Sequence, residues 1–261
     1  MELLNNAGLP CYQFPEPAVA ALAGLARYSE LRDSPATLLT PYAEADRERV
    51  RAIFEQVRQE GRLVLLGSEA AEVAAAYGIS VVPLRLARSA QEATEIADTL
   101  GYPVVLKVAS PKILHKTDVG GVKLGLASAE DVYRGFVEIL ENVHRYLPDV
   151  IPHGIEVQKM VRPGKEFIIG MSRDVQFGPL LMFGLGGVYV NLLEDVSFRL
   201  ATGLTVEELQ AMIRETKAYR LLRGFRGDPP LDINAVETAL ARIAQLVLDF
   251  PELTELDINP L

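Results

Sequence analysis

Apolar strand-like runs alternate with helix-like runs from Leu63 onward, and this alternation restricts the possible folds more than any other feature. LVLL precedes SEAAEVAAAYG, and SVVPLRL precedes SAQEATEIADTLG and the apolar YPVVLKV. The later predicted elements are a helix at 128–146, strands near 154–160, 165–172 and 178–184, helices near 205–222 and 233–249, and the apolar end TELDINPL. The mixture of β-α units and hairpin-like strands predicts an α/β or α+β fold with antiparallel sheet.

The first 45 residues have a different pattern. Residues 1–33 predict a strand, GLPCYQF, and a helix opened by Pro15 and Pro17, which together are too little to fold alone. Residues 34–45 contain two prolines and no hydrophobic period, which is typical of a linker. The predicted domains are therefore 1–45 and 46–261.

Charge and cysteine content exclude several classes of protein. The net charge is −9 and no block of basic residues occurs, which argues against nucleic acid or a membrane surface as the partner. The single cysteine, Cys11, leaves no internal disulfide framework and no cysteine cluster for zinc. Without an apolar stretch of membrane-spanning length or a signal pattern, we expect a cytoplasmic protein.

Two lysines occur within strand-like runs. Lys107 lies in VVLKV, where a buried ammonium needs an anion beside it, and Lys123 lies in GVKLGL. One interpretation is that both contact the phosphates of a nucleotide. The other is that each lies on a solvated face or at a sheet edge.

Between these lysines lies LHKTDVGGVKLG, which combines the groups that a phosphate-handling site needs. The imidazole of His115 can attack a phosphoryl group, and the N–H groups of Gly120 and Gly121 can stabilise the transferred charge. Asp118 either orients the imidazole or caps the turn before Gly120. The other histidines, His144 and His153, have no such neighbours and are interpreted as surface residues.

Three further stretches carry polar groups in a suggestive pattern. GLGG, in MFGLGGVYV, fits neither a Walker loop nor a dinucleotide fingerprint and is also compatible with a simple turn. In ELDINPL, Asp257 and Asn259 share one face of a strand and present two oxygens suited to Mg²⁺, unless they only satisfy the strand end. In VQKMVRPGKEFIIG, the residues Gln158, Met160 and Val161 offer groups to an adenine and Glu166 to a ribose, which alone is a weak signal.

Taken in order, the segments LHKTDVGGVKLG, RPGKEFIIG, GPLLMFGLGGVYV, EDVSFRLA, GFRG and ELDINPL resemble a known family. They are similar to the ATP-grasp (beta) part of nucleoside-diphosphate-forming acyl-CoA synthetases, such as ADP-forming acetate–CoA ligase, which are relatives of succinyl-CoA synthetase. The resemblance covers about 62–261. Residues 1–33 resemble the last strand and helix of the CoA-ligase domain that precedes this part in fused members.

The resemblance implies an ATP-grasp fold of two subdomains that binds ATP or ADP with Mg²⁺. It implies a reversible reaction in which acyl-CoA, a nucleoside diphosphate and phosphate give the acid, CoA and a nucleoside triphosphate. His115 matches the histidine that relays the phosphoryl group to the nucleotide. Lys107 and Lys123 match phosphate-contacting lysines, and Asp257 and Asn259 match metal-site residues. The CoA-binding alpha part is the implied partner, and the sequence leaves a homo-oligomer open.

The chain departs from the family pattern in places. Asn191 stands where many relatives have glutamate. Relatives continue past the position of Leu261 into a strand whose aspartate completes the metal site, so we expect weak Mg²⁺ binding. The CoA-binding half of the family pattern is absent, so we expect no full reaction by this chain alone. Two alternatives stay open: a non-catalytic ATP-sensing module of a fused acyltransferase or regulatory protein, and an ATP-grasp ligase with a different acceptor.

Overall fold

Two four-stranded antiparallel sheets, each with helices packed on one face, form the framework of the chain. The computed structural model describes residues 6–33, 36–113, 115–187 and 195–261. The helices are α1 (Pro15–Asp33), α2 (Arg47–Gln59), α3 (Gly67–Ala76), α4 (Ala90–Leu100), α5 (Ala129–Tyr146), α6 (Val206–Arg214), α7 (Ala218–Leu222) and α8 (Ile233–Asp249). The strands are β1 (Leu84–Ala87), β2 (Val104–Ala109), β3 (Val122–Leu126), β4 (Gly154–Lys159), β5 (Phe167–Asp174), β6 (Gly178–Leu185), β7 (Val196–Leu200) and β8 (Glu255–Ile258).

The first lobe consists of the sheet β1-β4-β2-β3 with α4 and α5. Each helix begins at a serine whose hydroxyl accepts a backbone hydrogen bond, Ser89 from Glu92 and Ser128 from Asp131. Such a cap stabilises a helix by about 1 kcal/mol. The alternate β2 residues Val104, Leu106 and Val108 pack with the apolar faces of both helices. The other face of this sheet is therefore available for polar groups.

The second lobe consists of the sheet β7-β6-β5-β8 with the remaining helices except α1. Helices α2 and α3 precede the first lobe in sequence, but their apolar side chains belong to the core of the second. The Phe54 ring meets that of Phe250 edge to face at 5.3 Å between centroids, and Tyr77 meets Phe250 at 6.4 Å. After α1, the chain thus contributes α2 and α3 to the second lobe, then forms the first lobe, and then returns to complete the second.

Several element predictions need correction. No strand forms over the described part of 8–14 or over 63–66, where Leu63 is 97% exposed. A strand needs a hydrogen-bonding neighbour, and neither segment pairs with a sheet. The helix predicted over 205–222 is two helices, because the Asp195 carboxylate accepts hydrogen bonds from the N–H groups of Lys217 and Ala218 and starts α7 there. Strand β7 was not predicted.

The segment 37–45, predicted as a linker, has no regular structure but is bound to the second lobe. The Thr37 hydroxyl donates to Glu207 at 2.8 Å, and the Tyr42 N–H donates to Gln245 Oε1 at 2.7 Å. The Arg242 guanidinium lies over the Tyr42 ring at 4.4 Å. These contacts attach the segment to α6 and α8.

Helix α1 presents large apolar side chains to solvent. Val19, Leu22, Leu25 and Tyr28 are each more than 60% exposed. Within the described residues this face of α1 is therefore uncovered, while the assignment of residues 1–45 to a CoA-ligase domain stays a prediction. Among the described residues, no helix combines the length and apolar character that crossing a membrane requires.

Two deletions separate the contributions of α1 and of the bound segment. We expect removal of residues 1–35 to cost less stability than removal of residues 1–45. The longer deletion also loses the hydrogen bonds of Thr37 and Tyr42, and a hydrogen bond contributes about 1 kcal/mol. The free energies of unfolding from urea titrations should therefore differ by about 2 to 3 kcal/mol. Equal values would show that the segment 37–45 adds nothing to the second lobe.

Candidate functional site

Lys107 lies on the polar face of the first sheet, opposite the apolar core. Its neighbours Leu106 and Val108 are fully buried in that core, so the alternation of a strand directs Lys107 to the other side. The Lys107 Nζ donates to the Gln158 Oε1 on β4 at 2.7 Å. In the pairing of β2 with β4, Lys107 lies directly opposite Glu156. Lys107, Glu156 and Gln158 therefore form one polar group.

Glu156 is a member of this group that the sequence reading missed. It is 1% exposed, and its Oε1 accepts a hydrogen bond from the Ser68 N–H at 2.8 Å. The sequence GIEVQ could have identified it, because a glutamate inside an apolar strand, like Lys107, is a buried charge that needs a partner.

Burial and neighbouring charges perturb both ionisable groups. Burial lowers the pKa of Lys107, the Lys116 ammonium lowers it further, and the Glu156 carboxylate opposes both effects. Burial raises the pKa of Glu156, while the Ser68 N–H, Lys116 and Lys107 oppose the rise. One buried carboxylate and two partly buried ammonium groups thus influence one another, an arrangement common where function requires perturbed ionisation.

The loop between β2 and β3 carries His115 and Lys116, and the charge of Lys116 acts on both Lys107 and Glu156. Leu114 lies outside the described residues, and the His115 and Asp118 side chains are exposed. The Asp118 N–H donates to the His115 carbonyl oxygen at 3.2 Å, so the bond between these residues belongs to a turn of the main chain. This bond does not involve the Asp118 carboxylate, whose role stays a prediction.

The Gly-Gly pair shapes the loop. A Cβ on Gly121 would lie 2.5 Å from Val108 Cγ1 and 2.8 Å from the Lys116 carbonyl oxygen, and Gly120 has a φ of +63°. The N–H groups of Gly120 and Gly121 donate to the carbonyl oxygens of Thr117 and Lys116, at 3.0 and 2.8 Å. In this arrangement both N–H groups close the turn, and a role in binding phosphate stays a prediction.

Lys123 lies apart from Lys107, contrary to the expectation of one shared site. It pairs with Leu106, a core residue, and its Nζ lies 2.5 Å from the Glu138 Oε2 on α5. Lys107 pairs with Val122, one residue earlier on β3. Because directly opposed residues share a face, the two lysines point to opposite sides of the sheet.

The connection between the lobes follows β4. The Met160 N–H donates to the Pro103 carbonyl oxygen at 3.1 Å, so only the Met160 carbonyl is left to offer to a ligand. Val161 is exposed just beyond the strand. The Glu166 carbonyl oxygen accepts a hydrogen bond from the Gly186 N–H at 2.8 Å. The Glu166 carboxylate lies close to Gly187, because a Cβ on that glycine would be 2.3 Å from Glu166 Oε2. Glu166 therefore lies against the GLGG segment.

Asp257 and Asn259 lie at the second sheet. The Asp257 side chain is exposed, but partial desolvation and the Glu255 carboxylate raise its pKa. The Asn259 Oδ1 accepts a hydrogen bond from the Gly187 N–H at 2.8 Å, which fixes the orientation of the amide. Asn191 lies outside the described residues. The described part of the chain holds no group of three or more His, Cys, Asp or Glu side chains that could hold a metal ion.

An open cleft of about 750 Å³ lies on the face of the second sheet away from its core, which is within the range of small-molecule sites. Its residues are mostly apolar with an acidic rim: Ile168, Gly170, Met171, Ser172, Met182, Val196, Phe198, Glu255, Leu256 and Asp257. The cleft thus offers an apolar floor beside one of the predicted metal ligands.

Comparison with known proteins identifies relatives. Residues 56–261 match the profile of an ATP-grasp domain family. Acetate–CoA ligase [ADP-forming] I of Archaeoglobus fulgidus is 47% identical over 258 residues, which are 99% of this chain and 37% of that protein. The beta subunit of acetate–CoA ligase [ADP-forming] I of Pyrococcus furiosus is 43% identical over 213 residues, which are 82% of this chain and 91% of that subunit. The chain thus spans just over a third of the length of the first relative.

Solved structures support the same relationship. Dinucleotide-forming acetyl-coenzyme A synthetase 1 of Ca. Korarchaeum cryptofilum, in complex with coenzyme A and Ca-AMPCP, is 48% identical with a TM-score of 0.77 over 80% of this chain and 91% of that one. The same enzyme with coenzyme A and Mg-AMPPCP, its phosphohistidine segment pointing towards the nucleotide binding site, is 44% identical with a TM-score of 0.70 over 81% and 91% of the two chains. The two antiparallel lobes and the matched residues establish that this chain belongs to the ATP-grasp family, among the ATP-grasp domains of ADP-forming CoA ligases.

Proposed function

We propose that this chain is the nucleotide-binding and phosphoryl-relay part of an ADP-forming acyl-CoA synthetase. The complete reaction interconverts acyl-CoA, ADP and phosphate with the acid, CoA and ATP. The observation that carries the proposal is the polar group of Lys107, Glu156 and Gln158 on one sheet face, on which Lys116 of the His115 loop acts by its charge. The proposal brings a nucleophile and two ammonium groups into one region.

The proposed partner is a CoA-binding alpha part, which would supply the phosphoryl group through its own phosphohistidine. The lengths of the relatives support it. One relative is a single protein of which this chain matches 37%, and another is a separate beta subunit of which the chain matches 91%. The alpha part is thus proposed to lie either in the same polypeptide or in a second subunit.

The proposed relay step joins His115 and ADP. The bond between the ring nitrogen and phosphorus breaks, and an oxygen of the ADP β-phosphate forms the new P–O bond of ATP. The other ring nitrogen takes up one proton, so the ring leaves as neutral imidazole. The ammonium groups of Lys107 and Lys116 offset the negative charge of the phosphate oxygens, and Asp118 holds the turn that presents the ring.

The rest of the nucleotide is proposed to follow the connection between the lobes. The amide of Gln158, the carbonyl of Met160 and the main chain of Val161 are placed for an adenine, and the Glu166 carboxylate for a ribose. Lys123 is proposed to have a structural role instead, because its ammonium is paired with Glu138.

Asp257 and Asn259 would hold Mg²⁺ beside the phosphates. Their carboxylate and amide oxygens are the hard donors that this ion prefers, and the Gly187 N–H fixes the Asn259 amide. The donor set therefore fits the ion. When bound, Mg²⁺ supplies positive charge that neutralises the phosphate oxygens.

The relay is tested by phosphorylation of the protein. With Mg-ATP, we expect His115 to be phosphorylated and the variant His115→Ala to carry no label, since no other group replaces the nucleophile. His144→Ala, which removes an exposed histidine of α5, is the matched control and should be labelled like the wild type. Intact-mass measurement reads the result. Equal labelling of wild type and His115→Ala would contradict the relay and favour a sensing module.

The two lysines should differ in nucleotide binding. We expect Lys107→Ala to weaken binding of Mg-AMPPCP by about tenfold to a hundredfold, because a charge-assisted hydrogen bond contributes about 1.5 to 3 kcal/mol. Lys123→Ala should change the dissociation constant much less, since its ammonium faces Glu138. Calorimetric titration measures both. A larger effect of Lys123→Ala would place the phosphates on the other face of the sheet.

The metal ligand is tested by the dependence on Mg²⁺. Asp257→Asn should weaken binding of AMPPCP in the presence of Mg²⁺ and leave its binding without Mg²⁺ nearly unchanged, because only the carboxylate charge is removed. Glu255→Gln, on the same strand and the same face, is the control. If both variants lose affinity equally, a general loss of negative charge explains the result better than a ligand role.

A further inference from the structure

The carboxylate of Glu156 connects the two lobes at a buried position. Glu156 belongs to β4 of the first lobe, and its Oε1 accepts from the Ser68 N–H at 2.8 Å. Ser68 lies in the first turn of α3, whose later residues Val73 and Tyr77 pack in the core of the second lobe. One side chain thus binds the sheet that carries Lys107 to a helix of the other lobe.

The contact is close because Gly67 has no side chain. A Cβ on Gly67 would lie 2.8 Å from Glu156 Oε2 and 2.9 Å from Oε1, both too short for a carbon atom. The first turn of a helix also carries partial positive charge and unpaired N–H groups, which favour a carboxylate. The glycine therefore lets the helix end come within bonding distance of the carboxylate.

The same carboxylate faces the two lysines of the proposed phosphate region. Lys107 lies opposite it in the β2-β4 pair, and Lys116 lines the same small cavity as Gly67, the glycine beside the carboxylate. The charged groups that act on Lys107 are Lys116, which disfavours its proton, and Glu156, which favours it. Glu156 also limits where each ammonium lies, because a buried negative charge attracts both.

We infer that Glu156 is a positioning residue of the proposed nucleotide site: its buried carboxylate attracts the ammonium groups of Lys107 and Lys116 and fixes the start of α3 near them, so that the lobes meet in one arrangement. This inference rests on the proposed function. Glu156 acts through the lysines and the helix, and it need not touch the nucleotide.

The effect of pH distinguishes this role from a purely structural one. Without the Glu156 charge, the pKa of Lys107 falls further, and the ammonium is lost as pH rises through that lower value. Phosphate affinity therefore disappears at a lower pH than in the wild type. In Glu156→Gln, we expect binding of Mg-AMPPCP at pH 9 to be about tenfold weaker than at pH 7, a loss of about 1.4 kcal/mol, whereas the wild type keeps most of its affinity.

Gly67→Ala separates the two roles of the Glu156 carboxylate, its hydrogen bond to the start of α3 and its charge near the lysines. The added Cβ moves the carboxylate away from Ser68 but leaves its charge near the lysines. We expect this variant to bind Mg-AMPPCP with the pH dependence of the wild type. We also expect it to phosphorylate His115 from Mg-ATP about tenfold more slowly, which corresponds to about 1.4 kcal/mol in the activation barrier. Glu141→Gln, an exposed carboxylate on α5, is the matched control for loss of charge and should behave as the wild type.

The outcomes decide between the proposals. Wild-type pH dependence in a folded Glu156→Gln variant overturns the inference. If that variant does not fold, the rate in Gly67→Ala decides, and a wild-type rate overturns it. A wild type that binds Mg-AMPPCP without phosphorylation of His115 overturns the relay, while the pH comparison in Glu156→Gln still decides the role of Glu156. A wild type that does not bind Mg-AMPPCP overturns both.

Discussion

Each sheet of this chain buries only one of its faces under helices, and that constraint determines where polar chemistry can lie. On β2, the residues beside Lys107 belong to the core, so Lys107 must project from the opposite side. On the second sheet, the face away from the core carries Met182, Phe198 and Asp257 around an open cleft. Both candidate surfaces therefore follow from the alternation of side chains along a strand.

Polar groups on a sheet face are stable only with partners, and here the partners come from different lobes. The Lys107 ammonium meets Gln158 within its own lobe, and the Glu156 carboxylate meets Ser68 of α3. Helices α2 and α3 belong to the second core although they precede the first lobe in the chain. The returning chain path thus supplies the hydrogen-bond donor that a buried carboxylate requires.

Much of the secondary structure was predictable because its signals are local. Helices α5 and α8 and the strand VVLKV were predicted within a residue or two, since their apolar periods and serine or aspartate caps are contained in the segments themselves. The run LVLL was wrongly predicted to be a strand, because an apolar segment of this length is equally compatible with a strand and with an irregular segment before a helix. Strand β7 was missed because its neighbours, not its own pattern, make VSFRL a strand.

The sequence by itself determined the family, through the ordered segments from LHKTDVGGVKLG to ELDINPL, and it identified Lys107, His115, Asp257 and Asn259 as candidates. Only the tertiary structure decided which candidates lie on the same face of a sheet and which lie apart. It placed Lys123 opposite Leu106 and beside Glu138, it used the N–H groups of the Gly-Gly pair to close a turn, and it added Glu156. The reason is physical: the face on which a strand residue lies depends on the register of its neighbours, and the partner of a buried charge is a residue distant in the chain.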